Sequence, residues 1–86
     1  MSTAGGRGLT TGVKLEIQDA DLTMLVRIFG QLLNAGILGD KSLEGRTVSL
    51  DQAAPISKQL DEICRQASCS WKLSESPRRL LEVVPQ

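Results

Sequence analysis

Val13-Lys14-Leu15-Glu16-Ile17-Gln18-Asp19-Ala20-Asp21-Leu22, running on through Leu25-Val26, Phe29 and Leu32-Leu33 to Asn34, decides the fold, because its hydrophobic period changes partway along. Val13, Leu15 and Ile17 fall on one side and Lys14, Glu16 and Gln18 on the other, the two-residue period of a strand wet on one face. Leu22, Leu25, Val26, Phe29, Leu32 and Leu33 then recur at helical spacing and make a single apolar stripe. The pattern predicts a strand from Val13 to Gln18 and an amphipathic helix from about Asp19 to Asn34. Asp19 or Asp21 offers a side-chain oxygen to the exposed first-turn N–H groups. Gly36 is placed to take the left-handed position that ends the helix.

The strand–helix unit occurs a second time. Thr47 to Leu50 is extended, and Pro55 suits the first position of a second helix, where its missing N–H would have no partner anyway. Ile56, Leu60, Ile63, Cys64 and Ala67 form that helix's buried face, with Lys58, Gln59, Asp61, Glu62 and Arg65 on its wet side. Between the units, Ile37-Leu38 reads as a very short strand followed by a loop from Gly39 to Gly45. After them, Cys69, Trp71 and Leu73 alternate inward on a strand, Ser74-Glu75-Ser76-Pro77 turns, and Leu81 and Val83 mark the inner face of a last strand. The order is β-α-β-β-α-β-β, an α+β plan in which short connections keep sequence neighbours together and helices cover sheet faces. Residues 1–12, rich in Gly, Ser and Thr, read as a flexible leader to a single domain spanning 13–86.

Composition narrows the function. The only aromatic residues are Phe29 and Trp71, so the one thin core of an 86-residue chain has to be aliphatic. Ten basic and ten acidic residues cancel, leaving no overall field to hold a nucleic acid or an acidic membrane. Histidine is absent, which removes the commonest general acid–base and the commonest metal ligand. No apolar run reaches the roughly 18–20 residues of a membrane span.

Four local features carry chemistry to weigh. Cys64 follows Leu60 by four on the buried helix face, and Cys69 shares parity with Trp71 and Leu73, so both sulfurs point inward at one corner. They form either a disulfide or two buried thiols acting as small hydrophobes; two thiolates alone do not complete a tetrahedral metal site. Gly36-Ile37-Leu38-Gly39 matches the GxxG clamp of KH domains, but without basic residues beside it, so a KH-like single-stranded nucleic-acid module stands only as an alternative. Gly5-Gly6-Arg7-Gly8 lacks the Gly-Lys-Ser/Thr of a phosphate loop. Arg78-Arg79, at the start of the last strand and near Lys72, reads either as a small patch for an acidic partner or, in preference, as a charged edge that discourages unwanted strand pairing. The scattered carboxylates offer no facing pair for hydrolysis, so no enzyme and no cofactor is expected.

Leu15-Glu16-Ile17-Gln18-Asp19-Ala20-Asp21-Leu22, then Gly36-Ile37-Leu38 and Asp40 to Gly45, resembles the short N-terminal domain shared by secretins and TonB-dependent receptors. Thr47-Val48-Ser49-Leu50, the proline-led helix with Leu60 and Ile63, and Trp71 where that family often carries tyrosine extend the resemblance over about residues 13 to 84. Gly39 stands where the family usually has an aliphatic strand residue, and Cys69 where it has leucine. The resemblance implies two helices packed between a two-stranded and a three-stranded sheet, in a periplasmic part of an outer-membrane protein whose signal peptide lies outside this chain. It also implies docking to proteins, either an inner-membrane secretion component or an anti-sigma regulator, without catalysis. The periplasm permits the Cys64–Cys69 disulfide. The first strand, with Lys14, Glu16 and Gln18 facing out, is the expected partner-binding edge, working by strand addition. A purely structural, ring-forming domain is the remaining alternative.

Overall fold

The alternation that begins at Val13 does make a strand, and a longer one than its pattern predicts. In the computed structural model, which describes residues 8–86, β1 (Gly12–Asp21) leads into α1 (Leu22–Leu33), then β2 (Gly36–Gly39), β3 (Thr47–Pro55), α2 (Ile56–Ala67), β4 (Cys69–Ser74) and β5 (Leu80–Pro85). A 3-10 turn, Lys41–Leu43, stands between β2 and β3. The expected α+β class and element order are those observed. β1 and β3 form an antiparallel pair, while β5 is the middle strand of a second sheet, parallel to β2 and antiparallel to β4. Each helix packs against both sheets, so the two helices lie between them.

The core follows the two stripes. Leu22, Leu25, Phe29 and Leu33 of α1 meet Ile56, Leu60 and Ile63 of α2, with Val48 and Leu50 of β3 and Leu81 and Val83 of β5 closing the two sides; all are buried. Leu32, on the flank of the α1 stripe, is half-buried and packs against this cluster.

Helix α1 starts at Leu22 rather than near Asp19, and of the two expected caps Asp21 is the one that serves, because β1 carries a bulge. The pairing runs Ile17↔Leu50 and then Ala20↔Val48, so Gln18 and Asp19 both lie opposite Ser49. Asp19 takes a left-handed backbone (φ 51°), which Asp tolerates better than most residues, and its N–H donates to Ser49 Oγ at 3.0 Å. The extra residue resets the alternation: Ala20 turns inward after Ile17, and Asp21 turns out to the N-cap of α1. Asp21 accepts from the Thr23 N–H at 2.9 Å. At the far end Asn34, not Gly36, holds the left-handed position (φ 54°), and its N–H donates to the Gln31 and Gly30 carbonyls. Gly36 is instead the first residue of β2.

The expected leader at residues 1–12 is also corrected. Residues 1–7 lie outside the described residues, but residues 8–12 belong to the fold. Gly12 pairs with Pro55, Leu9 packs on the core, and the Thr11 and Leu9 carbonyls accept from the Ile56 and Ser57 N–H groups, each at 3.0 Å. Those are first-turn donors of α2, and Pro55, its N-cap rather than its first helical residue, has no side chain to satisfy them. The backbone of residues 9–11 therefore caps the second helix.

Gln59, expected on the wet side of α2, is fully buried. Its Nε2 donates to the Val13 carbonyl at 3.0 Å and the Gln52 carbonyl at 3.1 Å, tying α2 to both strands of the two-stranded sheet. Arg79 does not guard an edge, since β5 is the central strand of its sheet. Its guanidinium donates to Glu75 Oε1 at 2.9 Å and to the Leu33 carbonyl at 2.6 Å, which caps the C-terminus of α1.

Candidate functional site

The β2 strand is built to be thin and close-fitting. After Asn34 turns the chain, the Ala35 N–H donates to the Gly30 carbonyl at 2.8 Å and the Gly36 N–H to the Arg79 carbonyl at 3.0 Å, which delivers residues 36–39 alongside β5. Gly30 of α1 makes room for that approach: a Cβ there would stand 2.6 Å from Ile37 Cγ1. In a parallel pair a residue directs its N–H and C=O to the same side, so Gly36 and Leu38 turn theirs to β5 and Ile37 and Gly39 turn theirs outward. Among the described residues no strand pairs with that outer edge. All four β2 residues are exposed, Ile37 at 40% and Leu38 at 50%, in a domain whose other large aliphatic side chains are mostly covered.

Beside this edge lies a cleft of about 310 Å³ between the first two turns of α1, the end of β2 and the 3-10 turn. Its floor is apolar, made by Leu22, Val26, Leu43 and Val83, all buried. Its mouth carries exposed charges, Arg27 from α1 and Lys41 from the turn, with Asp40 and Glu44. Asp40 is committed to the turn: its carboxylate accepts from the Ser42 N–H at 2.9 Å, and the hydrogen bonds from Ser42 hold its pKa below the usual carboxylate range. The Arg27 and Lys41 side chains have no ion-pair or hydrogen-bond partner among the described residues, while the Lys41 carbonyl accepts from the Glu44 N–H at 3.1 Å.

Lys14, Glu16 and Gln18 stand exposed on the outer face of the β1–β3 sheet, with Lys14 Nζ 3.6 Å from Glu16 Oε2. Among the described residues no strand pairs with the outer edge of β1 either, but these three side chains are exposed and do not line the apolar cleft. Such a wet ion pair adds little stability.

Cys64 and Cys69 are joined as a disulfide, with Cα atoms 4.5 Å apart, inside the range that a bridge spans. Ser68 turns the chain between them in a left-handed conformation (φ 57°). The corner is tied further: Arg46 donates through one guanidinium nitrogen to the Ala67 carbonyl and, at 3.4 Å, to that of Ser68. The Gln86 N–H donates to the same Ser68 carbonyl at 3.0 Å. Trp71 Nε1 donates to Asp61 Oδ1 at 2.8 Å, fastening β4 to α2.

The GxxG string is a strand hydrogen-bonded to β5, not a loop open to a phosphate backbone. The Gly5-Gly6-Arg7-Gly8 string falls almost wholly outside the described residues. Among the described residues no group of three or more His, Cys, Asp and Glu side chains is placed to hold a metal ion, and no helix is long and apolar enough to cross a membrane. Lys41 and Leu43 lie within the Asp40 to Gly45 stretch of the resemblance, where the Asp-x-Ser signal at Asp40 marks a turn, but nothing in the sequence joins that stretch to Arg27 of α1, so the cleft itself was not legible. No family model, curated protein or solved structure matches this chain.

Proposed function

We propose that the chain is a non-catalytic protein-docking domain of the secretin/TonB short N-terminal type, acting in the periplasm as part of an outer-membrane protein. The observation that carries this reading is the free edge of β2 beside an apolar cleft, at the border of a domain whose other apolar surface is largely spent on its own core. Strand addition to such an edge gives affinity through main-chain hydrogen bonds and specificity through pockets for alternate side chains. β2 is the better docking strand than β1, because Lys14, Glu16 and Gln18 line a polar face while Ile37 and Leu38 sit by a recess. The two-sheet, two-helix layering and the Cys64–Cys69 disulfide support the family and the oxidising compartment. The partner is then an inner-membrane secretion component or an anti-sigma regulator. Sequencing the coding region on both sides tests the setting. A signal peptide upstream and a channel- or barrel-forming region downstream is the expected result. A reading frame bounded by stop codons at these residues, with no signal, would end the periplasmic assignment.

A further inference from the structure

Sheet edges that stay unpaired are usually blunted by charge, proline, a bulge or a covering group. Here β1 carries a bulge at Gln18 and Asp19 with Lys14 and Glu16 along its length, and β4 carries Lys72. On β3 the Gln66 amide stands in for a neighbouring strand: its Oε1 accepts from the Ser49 N–H at 2.9 Å and its Nε2 donates to the Ser49 carbonyl at 2.8 Å. β2 has no such guard among the described residues. Gly36-Ile37-Leu38-Gly39 holds no charge, no proline and no bulge, and it exposes Ile37 and Leu38.

The parity of that edge makes it complementary to itself. Its outward N–H and C=O groups belong to Ile37 and Gly39, with Leu38 between them. A second β2, turned about a two-fold axis at Leu38, runs antiparallel and sets Ile37 of each copy against Gly39 of the other, so all four outward groups of each strand pair. A Cβ at Gly39 would meet nothing within 4 Å, which leaves the approach open. Leu38 lies beside Glu82, on the face opposite the buried Leu81 and Val83, and it meets Leu38 of the copy at the close, non-hydrogen-bonded position. The two clefts open on one side of the joined sheet. Each mouth sets Arg27 and Lys41 against Asp40 and Glu44, so either sign finds its opposite in the copy, whereas a partner of one sign would be repelled by half of them.

We propose that the β2 edge is held by a second copy of this chain, in a two-fold dimer whose joined sheet runs β4-β5-β2-β2-β5-β4. This rests on the same strand-adding edge as the docking reading above and adds how that edge is covered until another strand displaces the copy. Two four-residue strands make a small contact, under the roughly 1,200 Å² of standard interfaces, so the association is weak.

Sedimentation of the 86-residue chain from about 0.02 to 2 mM should show mass rising with concentration, the range in which so small a contact forms. Leu38→Lys sets two ammonium groups face to face on the axis and should weaken association about tenfold or more, with the melting temperature of dilute protein unchanged. Cross-linking reads the register. Leu38→Cys places two thiols about 4.5 Å apart at Cα, within disulfide range, while Ile37→Cys places them about 9 Å apart. Under a mild oxidant Leu38→Cys should therefore form covalent dimer about tenfold faster than Ile37→Cys. A mass that stays monomeric throughout, a Leu38→Lys variant that associates as the native chain does, or equal cross-linking of the two cysteine variants would each overturn the dimer. Docking at β2 would survive that outcome, because a monomer leaves the edge free, and a failure of the periplasmic setting would leave the dimer standing.

Discussion

Asp21 and Gln59 show how much a single side chain decides. Asp21 accepts from the Thr23 hydroxyl at 2.8 Å and from the Thr23 N–H, and these bonds hold its pKa below the usual carboxylate range. A depressed folded-state pKa adds stability above the unfolded value and loses it as pH falls through the folded one. Asp40 and Glu62 are shifted the same way, by hydrogen bonds from Ser42 and from Arg65 respectively. The melting temperature should therefore hold from pH 7 to 5 and fall below about pH 4. Asp21→Asn should melt lower than the native chain at neutral pH, and the gap should close as the pH drops; a gap constant to pH 2 would mean that the Asp21 charge plays no part. Gln59 predicts differently. Its amide satisfies two backbone carbonyls from within the core while its own Oε1 has no partner. Gln59→Leu should cost about 1–3 kcal/mol in denaturant unfolding, and Gln59→Glu should cost more, since a buried carboxylate would face two carbonyls. The sequence reading assigned Gln59 to water because it is polar; only the sheet lying over that flank of α2 makes it a core residue.

At the level of elements, both helices end on a left-handed residue and an arginine. Arg46, just before β3, caps α2, and Arg79, just before β5, caps α1. Each cap joins segments more than 20 residues apart, so it holds helix and sheet together as well as satisfying carbonyls. Arg46→Ala should accordingly lower stability by about 1–2 kcal/mol, read as a shift in the urea midpoint with an unchanged slope. The Cys64–Cys69 bridge closes a loop only five residues apart in sequence, so reduction should cost no more than about 2 kcal/mol. A urea curve with and without a thiol reductant measures this; a loss well above that size would mean that the bridge holds more than its own corner. The inward parity of the two cysteines was legible from the helix stripe and the strand alternation. The helix boundaries were less so, because Asp19-Ala20-Asp21 reads as a helix start when the bulge opposite Ser49 is not in view.

The whole molecule depends on two apolar stripes meeting between two small sheets. Leu25 and Phe29 are fully buried at the middle of that meeting, so Leu25→Asp or Phe29→Asp should abolish the cooperative thermal transition by placing an unpaired charge in the only core cluster of the described residues. A native-like melt for either variant would mean that α1 packs by another face. Element order, class and most of the buried set were written in the sequence, since the periods of 2 and 3.6 say which face each segment must hide, whatever it packs against. Tertiary structure decided what periodicity cannot carry. The four residues of β2 are too short to show a period, and only their parallel pairing with β5, more than 40 positions on, makes them a strand with a free edge. The cleft draws on α1, β2, the 3-10 turn and β5, whose residues have no spacing in common. Burial preference is a local property that each residue carries along the chain. An edge or a cleft exists only after distant segments have come to lie side by side.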